Sequence, residues 1–110
     1  MNDPYVIKGY DITGTHGACI YVANTTVRLV ISNNYLRGNY YGIEVVRSPN
    51  VPITNNNASG NDPYGIWLRS TGNDIVINNV CIDADHGIYT SAAYDNIINN
   101  NTVRATGHAP

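Results

Sequence analysis

Hydrophobic and polar residues alternate over short stretches of this chain, and turn-forming residues bound each stretch. Val27, Leu29 and Ile31 alternate at period two, as do Val51 and Ile53. Such short alternations between Gly, Asn, Asp and Pro are typical of short β-strands. No stretch keeps a helical period long enough for a helix, so the pattern predicts an all-β chain.

The predicted strands recur with a fixed spacing of 22 or 23 residues. A Gly-Ile motif begins at Gly42, Gly65 and Gly87, and asparagine pairs follow with the same spacing. The pairs are Asn33-Asn34, Asn55-Asn56, Asn78-Asn79 and Asn100-Asn101. Two motifs in phase indicate one copied structural unit. Two or three short strands per unit predict a parallel β-solenoid, with about four and a half coils in one domain over residues 1–110.

The two repeated motifs have architectural roles in this prediction. The second asparagine of each pair is expected to point inward at a bend, where its amide hydrogen-bonds its copy one coil away, at ~4.8 Å. These asparagines are Asn34, Asn56, Asn79 and Asn101. The same residues are expected to accept the backbone angles of the bend. Gly42, Gly65 and Gly87 are expected to permit a left-handed or close-packed bend before a strand.

The inward register is ambiguous in the third and fourth coils. The runs Ile75-Val76-Ile77 and Ile97-Ile98 each offer two choices of core residue. The pattern alone leaves both choices open.

Composition narrows the class of protein. The formal net charge is −2 and only 13% of the residues are charged. The sequence has no basic patch, so a nucleic-acid partner is not expected. No apolar run approaches the length of a membrane span. Cys19 and Cys81 lie at different points of the repeat, and we expect both to be free thiols.

The repeat resembles a known family. The stretch Gly65-Ile66-Trp67-Leu68-Arg69-Ser70-Thr71-Gly72-Asn73, followed by an asparagine pair, resembles the right-handed parallel β-helix repeats of NosD-like proteins in the pectate-lyase-like superfamily. The opening, residues 3–12, looks like the start of such regions in archaeal and bacterial surface proteins. The resemblance implies a right-handed single-stranded β-helix and an extracellular or cell-surface location. The superfamily includes polysaccharide lyases, hydrolases, phage tailspikes and noncatalytic proteins, so function stays open.

The variable positions of the repeat form the candidate binding surface. Two outward columns are predicted, one following each isoleucine and one preceding each glycine. The first is Tyr21, Glu44, Trp67 and Tyr89, and the second is His16, Tyr41, Tyr64 and His86. Aromatic rings cover apolar sugar faces, so together the columns predict a shallow glycan-contacting surface. Arg47 and Arg69 are placed to bind the carboxylates of an acidic glycan. The alternative is that these aromatic residues serve cross-strand packing alone.

The rival hypothesis is a carbohydrate-active enzyme, either a polysaccharide lyase or a glycoside hydrolase. Glycoside hydrolysis needs two carboxylates flanking the scissile bond. The candidate acids are Glu44, Asp62, Asp83 and Asp85. The sequence shows no dense aspartate cage or calcium repeat motif, and His16, His86 and His108 are scattered. Neither a metal nor a cofactor is predicted, and a noncatalytic structural or glycan-contacting module is favoured over an enzyme.

Neither end of the sequence contains a segment that would cap a solenoid. Terminal coils expose strand edges, so we expect either a piece of a longer β-helix or end-to-end stacking into a dimer or filament. The chain opens without a basic-then-apolar signal segment, so we expect either an intracellular protein or a truncated or recombinant piece of a longer one, and the piece is favoured. Sequons begin at Asn24, Asn57 and Asn100 and have a role only after export.

Overall fold

The computed structural model describes residues 4–14 and 17–105, and within them the chain forms thirteen strands and no helix. No described segment is therefore a helix that could cross a membrane. Every strand pairing is parallel and joins one coil to the next. The predicted parallel β-solenoid is confirmed.

The strands, numbered in chain order, form three faces. The first face holds Tyr5–Lys8 (β1), Leu29–Ser32 (β4), Pro52–Thr54 (β7), Ile75–Ile77 (β9) and Ile97–Asn99 (β12). The second holds Asp11–Thr13 (β2), Tyr35–Arg37 (β5), Val80–Ala84 (β10) and Thr102–Ala105 (β13). The third, which we call the aromatic sheet, holds Ala18–Ala23 (β3), Tyr41–Val46 (β6), Tyr64–Arg69 (β8) and His86–Ser91 (β11). Asn57 bridges β5 to β10 and so links the two halves of the second face.

The strand register settles which residues fill the core. On the first face Ile31 pairs with Ile53, which pairs with Val76, which pairs with Ile98. Val76 is fully buried, so it is the inward residue of its run. Burying one such aliphatic side chain contributes about 1.5–3 kcal/mol, and stacked coils accumulate these contributions.

The asparagine ladder is confirmed at all four predicted rungs. The amide Nδ2 of Asn34 donates to Oδ1 of Asn56 at 3.0 Å, and the same bond recurs from Asn56 to Asn79 and from Asn79 to Asn101. Each Oδ1 also accepts the backbone N–H of the asparagine one coil below. These bonds satisfy the amides of Asn34, Asn56 and Asn79, which are almost completely buried, and that of Asn101, which is half-buried.

The bend and the ladder are formed by different asparagines of each pair, whereas the sequence analysis expected the second asparagine to form both. The first residue of each pair adopts the left-handed backbone conformation, with φ between 53° and 60°. These residues are Asn33, Asn55, Asn78 and Asn100. Asparagine tolerates this conformation better than most residues. The first asparagine therefore makes the bend and the second builds the ladder.

The glycines of the Gly-Ile motif are needed for space rather than for backbone freedom. Gly42, Gly65 and Gly87 lie inside β6, β8 and β11, and none of the three has a positive φ. The predictions of a left-handed conformation and of a place before the strand are therefore wrong. A Cβ at Gly42 would lie only 2.6 Å from the carbonyl oxygen of Gly65 and 2.7 Å from Cβ of Ala58. The close-packed alternative is correct.

A second buried polar network surrounds Asp74, which is completely buried. Its Oδ1 accepts the backbone N–H of Val51 at 2.7 Å, and its Oδ2 lies 2.9 Å from Oγ1 of Thr71. That hydroxyl also lies 2.9 Å from the carbonyl oxygen of Ser48, yet it has one proton to donate. One coil on, Oδ1 of Asn96 accepts the N–H of Asp74 in the same way. Asp74 thus occupies an asparagine position of the repeat.

Asp74→Asn is expected to stabilise the chain at neutral pH by about 1 kcal/mol. Desolvation raises the pKa of the Asp74 carboxyl, and hydrogen bonds from Val51 and Thr71 offset this only in part. The folded state therefore holds the proton to a higher pH than the unfolded chain. Stability that is fully present below the ordinary aspartate pKa is lost as the pH rises through the folded pKa. The asparagine side chain would donate to Thr71 at every pH.

The check is urea unfolding of wild type and Asp74→Asn between pH 3 and pH 8. The gain in unfolding free energy should grow as the pH rises. Asp95→Asn, which changes an exposed aspartate in the neighbouring turn, is the matched control and should leave the profile unchanged. A constant or negative difference for Asp74→Asn across the range would contradict the role assigned to Asp74.

Cys19 and Cys81 are free thiols, as predicted. Burial raises the pKa of the Cys81 thiol to about 12. It also raises the pKa of Cys19, whose hydrogen bonds oppose the shift. Since the thiolate is the reactive form, burial keeps Cys81 chemically inert at neutral pH.

Candidate functional site

The aromatic sheet aligns the variable residues of the repeat in two outward columns. Tyr41 pairs with Tyr64, which pairs with His86. In the other column Tyr21 pairs with Glu44, Glu44 with Trp67, and Trp67 with Tyr89. His16, which belongs to the first column in the sequence, lies outside the described residues, as does His108.

The two columns merge into a single group of rings. We call this group the aromatic cluster, and its members are Tyr41, Tyr64, Trp67, His86 and Tyr89. The ring of Tyr64 stacks on Tyr41 at 5.6 Å and on Tyr89 at 4.5 Å, with interplanar angles of 16° and 4°. The Trp67 ring leans against Tyr41 and Tyr64 at 5.0 and 5.1 Å. Because the tyrosine faces cover one another, the cluster presents mainly ring edges and phenol hydroxyls to solvent.

The phenol of Tyr64 stays neutral at physiological pH. Desolvation raises the pKa of Tyr64, and the neighbouring phenols of Tyr89 and Tyr41 raise it further. Tyr64 therefore offers a hydroxyl group that both donates and accepts hydrogen bonds.

The indole of Trp67 is fixed on two sides. Its Nε1 donates to Oγ of Ser91 at 3.1 Å, and the guanidinium carbon of Arg69 lies 4.9 Å from the centre of its ring. A cation over an aromatic face is worth about 0.5–1 kcal/mol at an exposed site. These contacts hold the largest ring of the cluster in one orientation.

Glu44 differs from the other outward positions because its side chain is almost completely buried. Its side chain points away from the core but is only 10% exposed, and its Oε2 lies 3.4 Å from Nη2 of Arg69. Tyr21, one coil away, is 58% exposed. Desolvation raises the pKa of Glu44, and the charge of Arg69 offsets part of the rise. The Glu44 side chain is therefore far less accessible to a ligand than the Tyr21 ring.

The second arginine expected to bind acidic glycans also has a protein partner. Nε of Arg47 donates to Oδ1 of Asn24 at 2.6 Å, immediately after β6. Both arginines of this side of the solenoid are thus engaged within the chain.

The candidate acids are spread over different elements. Glu44 lies in β6, whereas Asp62 is exposed in the turn before β8 and Asp83 is exposed within β10. Asp85 is half-buried between β10 and β11, and it lines a cavity of about 600 Å³ at the end of the solenoid. None of the three aspartates belongs to a strand of the aromatic sheet. Among the described residues no three acidic, histidine or cysteine side chains are arranged to hold a metal ion.

Sequence reasoning missed the link between Glu44, Arg69 and Trp67. Register places Trp67 directly beside Glu44, and Arg69 two residues further along the same strand. A usable signal was present, because Glu44 and Arg69 are the two acidic or basic residues in the four strands of this sheet, histidine aside. Opposite charges on adjacent coils predict a pair.

Parallel strands, stacked coils and an internal asparagine ladder define a β-solenoid with an external aromatic cluster. The chain belongs to the right-handed β-helix family, because the model of the family described as right handed beta helix region matches residues 2–109. The comparisons with curated proteins and with solved structures gave no match. The right-handed parallel β-helix is confirmed, and the narrower likeness to NosD-like proteins stays a prediction.

Proposed function

We propose that this chain is a noncatalytic β-helix module that contacts a carbohydrate through its aromatic cluster. One observation carries the proposal: five rings from three consecutive coils lie within 4.5–6.4 Å of their neighbours on the outside of one sheet. Aromatic side chains with a few placed polar groups are typical of sugar-binding surfaces. Rings fixed before binding lose little conformational entropy when a ligand arrives.

The geometry suits an extended glycan that follows the solenoid axis. Coils rise by ~4.8 Å, so a sugar chain along this axis meets a new set of side chains at each coil. The phenol hydroxyls of Tyr64 and Tyr89 would bond sugar hydroxyls, while the half-buried indole of Trp67 would pack against the apolar part of a sugar ring. The exposed ring of Tyr21 continues the surface beyond Glu44.

Trp67→Ala is expected to weaken glycan binding at least ~10-fold, because aromatic anchors near the centre of an interface dominate its binding energy. The measurement is affinity electrophoresis in gels that contain neutral or carboxylated polysaccharides. Tyr10→Ala is the matched control, since Tyr10 is 57% exposed and lies outside the aromatic sheet. Equal retention of wild type and Trp67→Ala in every retaining gel would remove the aromatic cluster as the contact surface.

The second candidate function is catalysis on a carbohydrate, and the buried carboxyl of Glu44 favours it. A carboxyl with a raised pKa suits a general acid. The charged partner of Glu44 is Arg69 rather than a second carboxylate. Release of reducing ends from a polysaccharide by wild type, and its loss in Glu44→Gln, would establish an enzyme. No release by either protein is the result that the noncatalytic proposal requires.

The proposed location of the module is the extracellular space or the cell surface, as the resemblance to surface proteins implies. The second part of the proposal is that the module associates with itself. The described end coils expose apolar side chains, with Val6 at 50%, Ile97 at 55% and Ile98 at 44%. Stacking a second copy end to end would bury Ile98, whose partner Val76 is already buried, would partly cover Val6 and Ile97, and would continue the parallel sheets.

Light scattering after size-exclusion chromatography is expected to give a mass that rises from 12.0 kDa with concentration. Ile98→Lys should hold the chain at the monomer mass, because the charge would be buried by stacking. A monomer at all concentrations of the wild type would overturn the stacking proposal.

A further inference from the structure

We infer that the aromatic cluster selects uncharged glycans over those that carry uronate carboxylates. The inference rests on the proposed function and names the class of glycan that this surface takes. It runs against the sequence expectation that Arg47 and Arg69 bind an acidic glycan.

The aromatic sheet carries little net charge of its own. Glu44 supplies the one carboxylate and Arg69 the one guanidinium of the four strands. Their side-chain atoms lie 3.4 Å apart, so the two charges largely cancel. A uronate would have to displace Glu44 from Arg69 before it gained a cation of its own.

The position of Arg69 also disfavours the binding of a carboxylate. The guanidinium lies over the ring of Trp67, and its Nε is buried without a hydrogen-bond partner. Forked recognition of a carboxylate needs two adjacent N–H groups that are free to face the ligand. Stacking on Trp67 and pairing with Glu44 leave Arg69 poorly placed for such a fork.

The charged residues at the ends of these strands also have partners within the chain. Asp62 and Asp85 come shortly before β8 and β11, and both have interaction partners within the chain. Arg47, at the opposite end of β6, is held by Asn24. An anionic chain would therefore approach a surface without net electrostatic attraction, so it would gain no electrostatic steering.

The desolvation of a uronate carboxylate also disfavours the binding of an acidic glycan. A carboxylate that is pressed against aromatic rings loses hydration, and that loss is expensive without a paired cation. Neutral sugar hydroxyls instead find the phenols of Tyr41, Tyr64 and Tyr89, which donate and accept hydrogen bonds. The cluster therefore matches a polyhydroxyl surface without charge.

The test uses soluble probes with a shared backbone. Hydroxyethyl cellulose is neutral and carboxymethyl cellulose is anionic, and galactomannan and polygalacturonate extend the comparison to other sugars. In affinity electrophoresis we expect wild type to be retained by at least one neutral probe, with at least ~10-fold weaker retention by every carboxylated probe. Equal or stronger retention by a carboxylated probe overturns the inference and leaves the proposed function standing. Retention by none of the probes overturns both.

A variant of Glu44 tests whether the pairing of Glu44 with Arg69 causes this selectivity. Glu44→Gln removes the carboxylate and leaves Arg69 without its ionic partner. Retention by polygalacturonate should then rise about fivefold over wild type, since a freed guanidinium forms charge-assisted bonds with carboxylates. The thermal unfolding of this variant is measured in parallel, so a loss of fold is distinguished from a change in selectivity. A folded Glu44→Gln with no gain for polygalacturonate would show that the Glu44–Arg69 pair does not set the selectivity.

Discussion

Gly65→Ala is expected to destabilise the chain by at least ~3 kcal/mol, at or beyond the upper end of overpacking effects. A Cβ at this position would lie 2.6 Å from the carbonyl oxygen of Gly87, and 3.0 Å from both the carbonyl oxygen of Ala58 and Cβ of Cys81. Two of these neighbours are backbone atoms, one in β11 of the next coil and one in the segment between β7 and β8, and neither can move without disturbing the stack of coils. Urea unfolding followed by circular dichroism measures the loss.

Gly9→Ala is the matched control for this substitution. Gly9 has φ of 78°, and a Cβ there meets no atom within 4 Å. The control therefore carries only the left-handed backbone penalty of about 1–2 kcal/mol. If Gly65→Ala costs no more than Gly9→Ala, the close approach of successive coils is not the reason for the glycine.

Asn56→Ala is expected to lower the unfolding free energy by about 3 kcal/mol, from lost hydrogen bonds together with a cavity. Asn56 is 2% exposed and joins three coils. Its Oδ1 accepts the backbone N–H and the side-chain amide of Asn34, and its own amide donates to the Ile31 carbonyl and to Asn79. Removing it leaves buried groups of Asn34 and Ile31 unpaired.

Asn55→Gly separates the two roles of the asparagine pair. Asn55 is exposed and has φ of 60°, a conformation that glycine adopts freely. The unfolding free energy should change by less than ~0.5 kcal/mol. A loss at Asn55 as large as that at Asn56 would contradict the division between a bend residue and a ladder residue.

The fold was predictable because the sequence itself repeats. The spacing of Asn34, Asn56, Asn79 and Asn101 gave the coil length, and period-two alternation gave the strands. A solenoid contacts only its neighbouring coils, so one period determines most of its contacts. The ladder and the parallel register both followed from that period.

Features that depend on packing between coils could not be predicted with the same certainty. The sequence left open whether Gly42 is needed for space or for a left-handed backbone, since the answer depends on the Gly65 carbonyl one coil away. The burial of Asp74 depends on Val51 and Thr71 in two different coils. The spacing along the chain shows which residues stack on one another in successive coils, but it does not show how deeply each side chain is buried.

The sequence predicted which residues lie on the candidate surface, but it did not predict how their side chains pack against one another. The sequence placed Tyr41, Tyr64, Trp67 and Tyr89 on one surface, and the structure brings their rings into contact. It did not reveal that tyrosine faces cover one another or that Glu44 is buried, because ring angles depend on side-chain packing. Those features are the basis for proposing a neutral ligand.

The most direct test of the contact surface is a two-dimensional amide NMR titration with a neutral oligosaccharide from a polymer that retains the chain. Trp67 is the one tryptophan, so its indole N–H gives a unique signal. The account predicts that this signal and the amides of β6, β8 and β11 shift together, while those of the first face stay still. Binding with shifts on the first or second face and an unmoved Trp67 signal would contradict it.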